Sequence, residues 1–283
     1  MGKVIMSGIV EPLTAPSSFP PVGTPLNSLT WEEIRAISDA GLAADYFAVG
    51  DTKSIVINGK VGATTFSNLS IDAFILGIDH NSAKEGTNRI HFGLGKISGK
   101  MVGLCDSYYN TQTSTSGAFT MNTSETNSGG WASCHMRKTV LGSDKAPTSP
   151  TANTLLAALP ADLRAVMKAV TKYTDNTGDN SDTPDAVTAT TDYLWLLADF
   201  EVDAAVNYAN TYEKNSQAQY DYFKAGNSKI VYKYNDTNTA VYHWWLRSPH
   251  SVSDIQFCYV NSTGLGRCQV SSKSSAVLAC FAV

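Results

Sequence analysis

The side chains that could support acid–base or metal chemistry are scattered along the chain. His80 and His91 lie in or beside segments with the pattern of strands, and three carboxylates, Asp199, Glu201 and Asp203, alternate in one short stretch. Such groups act as catalysts or metal ligands only where several converge, and these spacings supply no convergence. We therefore predict structural, hydrogen-bonded histidines and a solvated helix start at 199–203, with no catalytic residues and no metal site.

Common catalytic and nucleotide-binding motifs are not found in the sequence. A dinucleotide-binding glycine loop, a Walker A loop, a zinc-protease helix, a nucleophile elbow and an EF-hand loop each need fixed residues at fixed spacing. The reason is that each motif places particular groups around a phosphate, a metal or a scissile bond. The sequence accordingly predicts a protein that is not an enzyme and uses no cofactor.

The cysteines give little indication of a disulfide framework or a zinc site. The chain has five cysteines, an odd number, so at least one is unpaired within the chain, and none forms a C-x-x-C motif. The favoured interpretation is that Cys105, Cys134 and the three others are free thiols that pack as small hydrophobic side chains. A disulfide of Cys280 with either Cys258 or Cys268 remains open.

Residues 242–249 form an aromatic and basic block with the character of a buried strand. We predict that Trp244, Trp245, Arg247 and Pro249 in this block are structural frame residues. A buried guanidinium needs acceptors, and its planar fork can bind several carbonyl groups or one carboxylate. We expect Arg247 to fix the irregular loop that follows the strand, and we favour that role over catalysis.

Composition narrows the classes of partner. The chain has 283 residues, 16% charged residues and a net charge of -4, with 13 tyrosines, 5 tryptophans and 21 glycines. This mixture predicts a loop-rich globular protein that contains β structure, as one large domain or two small ones. The mild acidity, without a basic run, argues against nucleic acid as a partner. Surfaces rich in tyrosine, serine and asparagine are typical of adaptable binding sites.

Helix and strand signals alternate along the chain and predict an α+β fold. Thr30-Trp31-Glu32-Glu33 is a capping-box pattern that starts a helix ending at Gly41, and Asn58-Gly59 is a strong hairpin signal,. Polar loops are expected at 106–130 and 174–190. Further helices are predicted at 152–159, from Pro160 through Val170, and at 217–224. Strands are predicted at 46–51, 54–57, 74–79, 89–94, 192–197, 240–247, 257–260 and 276–283.

The N-terminal residues 1–27 are rich in proline and are predicted to form an extended arm,. This arm is expected either to dock onto a neighbouring subunit or to be a loose leader. The first ten residues are too short and too interrupted for a signal peptide, and no stretch approaches 18 apolar residues. We predict synthesis in the cytoplasm without a signal peptide, and no insertion into a membrane.

Several motifs, taken in order, resemble one family of domains. The most specific is Trp245-Leu246-Arg247-Ser248-Pro249 near the C-terminus. The weaker ones are Gly50-Asp51 followed by Asn58-Gly59, Gly77-Ile78-Asp79-His80, Gly130-Trp131-x-x-Cys134-x-Met136-Arg137, and Leu194-x-Leu196-Leu197-x-x-x-Glu201-Val202. Over roughly residues 30–283 the chain resembles a family of domains from gut bacteria and their phages, some members of which are variable target proteins of diversity-generating retroelements.

The resemblance implies a C-type-lectin-like fold over residues 28–283, with a variable region at about 245–283. It implies a receptor-binding function in phage adsorption or adhesion to a host, with a bacterial surface protein or a glycan as ligand. The protein would then act in the virion, beside other phage tail proteins, or on a bacterial cell surface. Related phage proteins are trimers, so the resemblance also implies a homotrimer.

In diversity-generating retroelements, copying errors at adenines diversify asparagine codons. The residue types found after Pro249 can therefore be compared with those that such errors can produce. Changing the first two bases of AAC reaches many residue types but not Gln, Lys, Glu, Met or Trp. After Pro249 only Gln256, Gln269 and Lys273 fall outside the reachable set, and we predict that they do not vary. The predicted variable, ligand-binding positions are His250, Ser251, Ser253, Asp254, Ile255, Tyr259, Thr263, Leu265, Arg267 and Cys268.

Two other functions fit the same implied fold. A calcium-dependent sugar lectin would need several oxygen ligands, usually including two or more carboxylates, and the tail from His250 onward offers only Asp254,. An oxidase resembling formylglycine-generating enzymes would rely on a cysteine pair, for which Cys268 and Cys280 are candidates without a supporting site. Both rank below the binding protein.

Overall fold

The fold is mixed α+β, with sheets dominating and short helices, as the sequence predicts. The computed structural model describes residues 19–106 and 119–283. The strands are β1 (Thr52–Val61), β2 (Thr64–Ile78), β3 (Ile90–Ile97), β4 (Lys100–Gly103), β5 (Val170–Asp175), β6 (Val187–Asp192), β7 (Trp195–Leu196), β8 (Val231–Lys233), β9 (Asp236–Tyr242), β10 (Trp244–Pro249), β11 (Gln256–Val260), β12 (Gly266–Val270) and β13 (Ala279–Ala282).

The helices are short, and the longest of them has nine residues. A π-helical segment spans Met136–Leu141, and 3-10 turns span Leu26–Ser28, Pro184–Ala186 and Glu213–Asn215. The α-helices are α1 (Trp31–Asp39), α2 (Ala43–Tyr46), α3 (Ser82–Glu85), α4 (Gly130–Ser133), α5 (Leu155–Ala158), α6 (Ala161–Val166), α7 (Asp199–Asp203) and α8 (Asp221–Lys224).

An eight-stranded sheet forms the centre of the molecule. Its main path is β1-β2-β3-β4-β8-β9, and β13 joins it by pairing with both β3 and β7. Seven of the eight β3 residues are buried, which is the pattern of a strand covered on both faces,. The end of the chain therefore packs at the middle of the core, where Phe281 stacks on Phe92 at 5.1 Å between ring centroids.

Two smaller sheets lie beside the central one. β10, β11 and β12 form an antiparallel three-stranded sheet, and its register shifts between Trp245 and Pro249. β5 and β6 form an antiparallel pair. Because β10 is buried along its whole length, it connects the three-stranded sheet to the rest of the core.

The predicted capping box is confirmed. The Thr30 hydroxyl accepts a hydrogen bond from Glu33 N, and a Glu33 carboxylate oxygen accepts one from Thr30 N. Helix α1 ends at Asp39, shortly before Gly41, whose φ of +72° is the left-handed conformation expected at a helix end,.

The predicted hairpin turn at Asn58-Gly59 is wrong. Both residues lie inside β1, and the turn to β2 falls at Gly62-Ala63. The register shifts between Ile57 and Gly59, so the dipeptide marks an irregularity in the strand,. A Cβ on Gly59 would lie 3.3 Å from the Ala158 side chain, so this glycine serves close packing against α5.

The predicted strand at 46–51 is also wrong. Tyr46 ends α2, and the residues after it form a coil and a turn. The segment still lies along β2, since Gly50 N donates to Ile75 O and Ile75 N donates to the Asp51 carbonyl oxygen. Its aromatic and apolar residues therefore reflect packing beside the sheet and not membership of it.

The loop predicted at 174–190 is confirmed only in its middle, 176–183, which is followed by the 3-10 turn. Its two ends are wrong, because β5 continues to Asp175 and β6 begins at Val187. Val170 begins β5 and does not belong to the preceding helix, which ends at Val166. The inward side chains of this pair include Lys172, Thr174 and Asp192, which are buried and hydrogen-bonded. A strand that turns polar side chains inward has no apolar alternation to detect.

Several other boundaries differ from the prediction. The helix predicted at 152–159 begins only after the Thr154 cap, and the one at 217–224 is reduced to α8. Pro160 is the N-cap of α6, one position before the predicted N1 place. The strand predicted at 240–247 is split at His243 into β9 and β10, and those at 192–197 and 276–283 shorten to β7 and β13. Strands β4, β8 and β12 were not predicted.

Two predicted loops fall partly outside the described residues. Of the arm 1–27, only 19–27 are described; Leu26 is buried there, and Pro20 O accepts a hydrogen bond from Tyr46 Oη. Of the loop 106–130, residues 107–118 lie outside the described part. The remainder up to Gly129 is a loop, as predicted, but it lies only partly at the surface. Residues 123–125 are exposed, whereas Phe119, Met121 and Asn127 are buried.

Among residues 19–106 and 119–283, no helix has both the length and the apolar character needed to cross a bilayer.

Candidate ligand-binding site

Strand β10 is the rigid base of the C-terminal face. The predicted frame residues Trp244, Trp245, Arg247 and Pro249 are all buried. The Trp244 and Trp245 indoles each donate a hydrogen bond to a backbone carbonyl oxygen, at 3.0 and 3.1 Å. Buried indoles that also find an acceptor are fixed in orientation.

Arg247 uses all five of its N–H groups. Two parallel hydrogen bonds of 2.5 and 2.8 Å join its guanidinium to the Glu201 carboxylate, and Nη1 also donates to Leu196 O at 2.8 Å. Nε donates to Thr174 Oγ1 at 2.6 Å, and Nη2 to Tyr173 O at 3.4 Å. The predicted need for acceptors is confirmed. The predicted target is wrong, because these partners lie on β5, β7 and α7 and not on the loop after β10.

Asp199 and Glu201 are fully buried, so the prediction of a solvated helix start is wrong. Burial alone would raise the pKa of Glu201, but Arg247 and Lys172 outweigh it and hold that pKa well below its usual range. Burial raises the pKa of Asp199, although its carboxylate accepts hydrogen bonds from the backbone N–H groups of Asn207 and Tyr208.

A second cation completes the buried cluster. Lys172 Nζ lies 2.7 Å from a Glu85 oxygen and 2.9 Å from a Glu201 oxygen. His80 lies close by, with Nε2 3.9 Å from Glu85 Oε1, and burial followed by the charge of Lys172 lowers its pKa to about 3. His91 Nδ1 lies 2.9 Å from Tyr220 Oη.

The ligand atoms of His80, Glu85 and Glu201 lie within 4.8 Å of one another, a spacing that suits a metal ion. The Lys172 ammonium, however, already lies against both carboxylates and would repel a cation placed between them,. Of the three carboxylates noted in the sequence, the structure thus brings Glu201 close to His80. Because Lys172 already neutralises charge on Glu85 and Glu201, the cluster favours a structural role over metal binding.

Glu213 is another buried carboxyl group beside the frame. It accepts hydrogen bonds from Asp175 N at 2.9 Å, from Ser248 Oγ at 2.6 Å and from Gln217 Nε2 at 3.0 Å. Burial raises the pKa of Glu213 to about 7, against the opposing effect of these donors. Nothing in the sequence marks this residue, since two of its three partners, Asp175 and Ser248, are 38 and 35 positions away along the chain.

The buried side chain of Asn127 holds the loop after β10 together with Gln256, the first residue of β11; this segment is called the loop 250–256 below. Asn127 Nδ2 donates to Ser253 O at 2.6 Å and to Gln256 O at 2.9 Å, and its backbone N donates to the Asp254 carbonyl oxygen at 2.7 Å. Ser251 N donates in addition to Tyr208 O. These contacts use backbone groups of the loop. Two side chains of the loop itself also brace it, since His250 Nδ1 accepts a hydrogen bond from Val252 N and Ser253 Oγ accepts one from Ile255 N.

None of the ten predicted variable positions is buried. Asp254, Thr263, Leu265 and Arg267 are exposed. Those of intermediate exposure are His250, Ser251, Ser253, Ile255, Tyr259 and Cys268.

Tyr259 and Arg267 are register partners on β11 and β12, so their side chains share one face of the small sheet,. The Tyr259 ring stacks on His243 at 4.9 Å between centroids and meets Trp245 edge-on at 6.4 Å. The predicted variable position Tyr259 therefore packs directly on aromatic side chains of the preceding strand and of the residue before it.

The turn between β11 and β12 is organised by Asn261. Its Oδ1 accepts hydrogen bonds from Thr263 N, Thr263 Oγ1 and Leu265 N, at 2.8 to 2.9 Å. An asparagine that accepts from the backbone two to four residues ahead builds a tight turn. Thr263 and Leu265 are thereby presented on a defined backbone.

A surface cleft of about 420 Å³ opens beside this turn. Leu265 and Arg267 line it from the tail, and Asp203, Asn207 and Tyr208 line it from the segment after α7. Tyr208 also contacts the His250 ring, at 5.7 Å between centroids. The cleft thus joins the two ends of the predicted variable region.

Asn207, Tyr208 and Asn127 were missed by the sequence analysis. Only the abundance of tyrosine and asparagine in the sequence hints at them, and it does not single out positions. Gln256, Gln269 and Lys273, the residues predicted not to vary, are all half-buried. Gln269 also donates a hydrogen bond to Ser275 Oγ.

All five cysteines are free thiols. The two sulfur atoms brought together are those of Cys258 and Cys268, at 3.5 Å, a pair not among those predicted. Cys280 Sγ instead contacts Leu278 O, at 3.9 Å.

One family model matches the chain, over residues 107–281, and it describes a domain of unknown function (DUF6273). The match covers more than half of the chain and includes the buried Arg247–Glu201 pair together with β10, β11 and β12. No curated protein and no solved structure matched. A function must therefore be argued from the geometry of the C-terminal face.

We predict that Asn127→Ala loosens the loop 250–256. The change removes the Nδ2 donor from two carbonyl oxygens, and unsatisfied buried polar groups cost about 1–3 kcal/mol each. Hydrogen exchange should become faster in 250–256 and the free energy of unfolding should fall. Asn227→Ala, which removes an exposed amide bound to Tyr222 O, is the matched control. Unchanged exchange in 250–256 would show that Asn127 does not hold the loop.

We predict a pH dependence of stability that Glu213→Gln removes. The pKa of the Glu213 carboxyl group is raised from its ordinary value of 4.5, taken for the unfolded chain, to about 7 in the folded protein. The folded protein therefore binds this proton more tightly than the unfolded chain does. The contribution of Glu213 to stability is then greatest below pH 4.5 and is lost as the pH rises to about 7. At about 1.36 kcal/mol per pKa unit, the loss is up to about 3 kcal/mol.

Urea unfolding of both proteins between pH 4.5 and 8 measures this difference. The stability of the wild-type protein should decline relative to that of Glu213→Gln as pH rises. Glu125→Gln removes an exposed carboxylate and controls for the loss of one charge. Parallel curves for wild type and Glu213→Gln would contradict the prediction.

Proposed function

The chain belongs to the DUF6273 family of domains of unknown function, and we propose that it is a binding protein. Its ligand-binding face is the C-terminal region around residues 250–268, and its ligand is a receptor on a bacterial surface. The observation that carries the proposal is the separation of side chains in this region. The frame residues of β10 are buried, while ten chemically mixed positions after it are exposed or half-buried.

The hydrogen bonds of the loop and turn also support binding. Asn127 and Asn261 hold the backbone of 250–256 and 261–265 through backbone groups of the loop. A fixed backbone lowers the entropy lost when a ligand binds, whatever side chains it carries. Such a scaffold tolerates exchange of the exposed residues without losing its shape.

The chemistry of the face favours a protein surface over a sugar as the ligand. Tyr208 and Leu265 are 36% and 53% exposed and line the cleft together with Arg267, and Val252, in the loop after β10, is 75% exposed. Tyrosine and arginine are enriched among residues that dominate binding energy at protein interfaces. Exposed apolar side chains beside a tyrosine, such as Leu265 in the cleft with Tyr208, also mark interaction sites,.

The wider biological setting is part of the same proposal. The protein is a variable target protein of a diversity-generating retroelement with a C-type-lectin-like fold, located in a phage tail or on a bacterial cell surface and assembled as a trimer. The small C-terminal sheet carrying the exposed positions, and the Trp-Leu-Arg-Ser-Pro strand beneath them, support this assignment.

Binding of the labelled full-length chain to a panel of intact bacterial cells tests the function. The double variant Leu265→Asp with Arg267→Ala should reduce binding at least about 10-fold, because truncating central interface residues costs about 2 kcal/mol or more. The matched control is Val56→Asp with Lys60→Ala, which changes an exposed apolar and an exposed basic residue on β1.

Protease treatment of the cells should abolish binding if the receptor is a protein, and periodate treatment should do so if it is a glycan. Binding that is equally sensitive to both double variants would place the site elsewhere. Failure of the chain to bind any cell in a broad panel would contradict the receptor-binding function.

The DNA beside the 3′ end of the gene tests the diversification separately. We expect a near-repeat of codons 250–275 with adenines at the variable positions, and a reverse transcriptase gene close to it. In that repeat the codons for Gln256, Gln269 and Lys273 should match those of the gene. A flank without any such repeat would remove the retroelement from the proposal but leave the binding function standing.

A further inference from the structure

Cys258 and Cys268 face each other across the β11–β12 pair. They are register partners in an antiparallel ladder, and their sulfur atoms lie 3.5 Å apart. Opposed residues in such a ladder have Cα atoms about 4.5–5.5 Å apart, within the range of about 4.4–6.8 Å that a disulfide spans. Bridging the two sulfurs therefore needs only a small movement of the side chains.

The two thiols differ in access to solvent. Cys258 is buried, and burial together with the contact to Cys268 raises its pKa well above the ordinary value. Cys268 is half-buried, whereas Cys105, Cys134 and Cys280 are all buried. A small molecule from solvent thus reaches Cys268 first, and Cys258 is the thiol placed to react next.

We propose that Cys258 and Cys268 are a redox-active pair that a small-molecule disulfide, such as glutathione disulfide, converts into a cross-strand disulfide. The Cys268 thiolate attacks the small disulfide, forms a mixed disulfide and releases one thiol. Cys258 then attacks the Cys268 sulfur, and its proton leaves with the second released thiol. One small disulfide is reduced to two thiols, and two protein thiols are oxidised.

The bridge would close the turn 261–265 covalently at its base. In the reduced protein this turn is held by Asn261 and by the ladder between β11 and β12. Oxidation would therefore restrict a segment that lines the surface cleft with Leu265. The pairing itself rests on the register and sulfur distance, and it does not depend on the proposed binding function.

The sequence offers a direct assay, because Arg267 lies between the two cysteines and allows tryptic cleavage there. The native full-length chain is equilibrated with glutathione disulfide, residual thiols are blocked in acid, and the protein is digested without reduction. We expect peptides 248–267 and 268–273 to appear as one linked species, lighter than their sum by two hydrogen atoms. Dithiothreitol should separate them.

Three comparisons decide the outcome. Cys268→Ser should abolish the linked species, Cys258→Ser should leave a glutathione adduct on Cys268, and Cys280→Ser should retain the link. The same reaction in urea, where the register is lost, should spread the linkages over several cysteines. The proposal is overturned if peptide 268–273 from native wild-type protein is recovered only as a glutathione adduct, linked to its own copy, or linked to another cysteine.

Discussion

The buried ion pair between Arg247 and Glu201 is the interaction on which the rest of the C-terminal region depends. Both side chains are fully buried, and removing two charges from water costs several kcal/mol for each ion unless their hydrogen bonds are satisfied,. Here all five guanidinium N–H groups have acceptors, and Glu201 also receives the Lys172 ammonium. The pair is therefore tolerated only in one arrangement of β10, β5, β7 and α7, and this arrangement defines the base of the face.

In the segment 250–268, which follows β10, the side chains that hold the backbone are mostly not the exposed ones. The loop 250–256 is fixed through its backbone by Asn127, and the turn 261–265 by Asn261. A substitution at Asp254 or Leu265 removes no hydrogen bond that supports the fold, whereas one at Arg247 or Asn127 leaves buried polar groups unpaired. The separation is not complete, because the His250 and Ser253 side chains each accept a hydrogen bond from the loop backbone, at Val252 N and Ile255 N.

The sequence predicts well those features that local pattern decides. The Thr30–Glu33 cap, the buried character of β10 and the need of Arg247 for acceptors all follow from neighbouring residues. The acceptors themselves do not, because Glu201 and Thr174 lie 46 and 73 positions from Arg247, and Ser253 lies 126 from Asn127. The β5–β6 pair was missed for a related reason, since its inward side chains are polar and carry no apolar alternation. The receptor, the retroelement and the lectin-like fold remain predictions.

Because the strand β10 carries a buried charge, its register is fixed more strictly than that of a strand with only apolar side chains. Side chains alternate across a strand, so a slip of β10 by one residue would turn Arg247 away from Glu201 and leave both charges buried and unpaired. Breaking such a pair costs about 3–5 kcal/mol, far more than a slip between apolar residues of similar size. The hydrogen-bond partners of Arg247 on β5, β7 and α7 therefore fix the register of β10. The exposed side chains that follow the strand do not. Substitutions at the exposed positions after Pro249, such as Asp254 and Leu265, are therefore not expected to shift β10, whereas changes at its buried partners Phe257 and Val260 are.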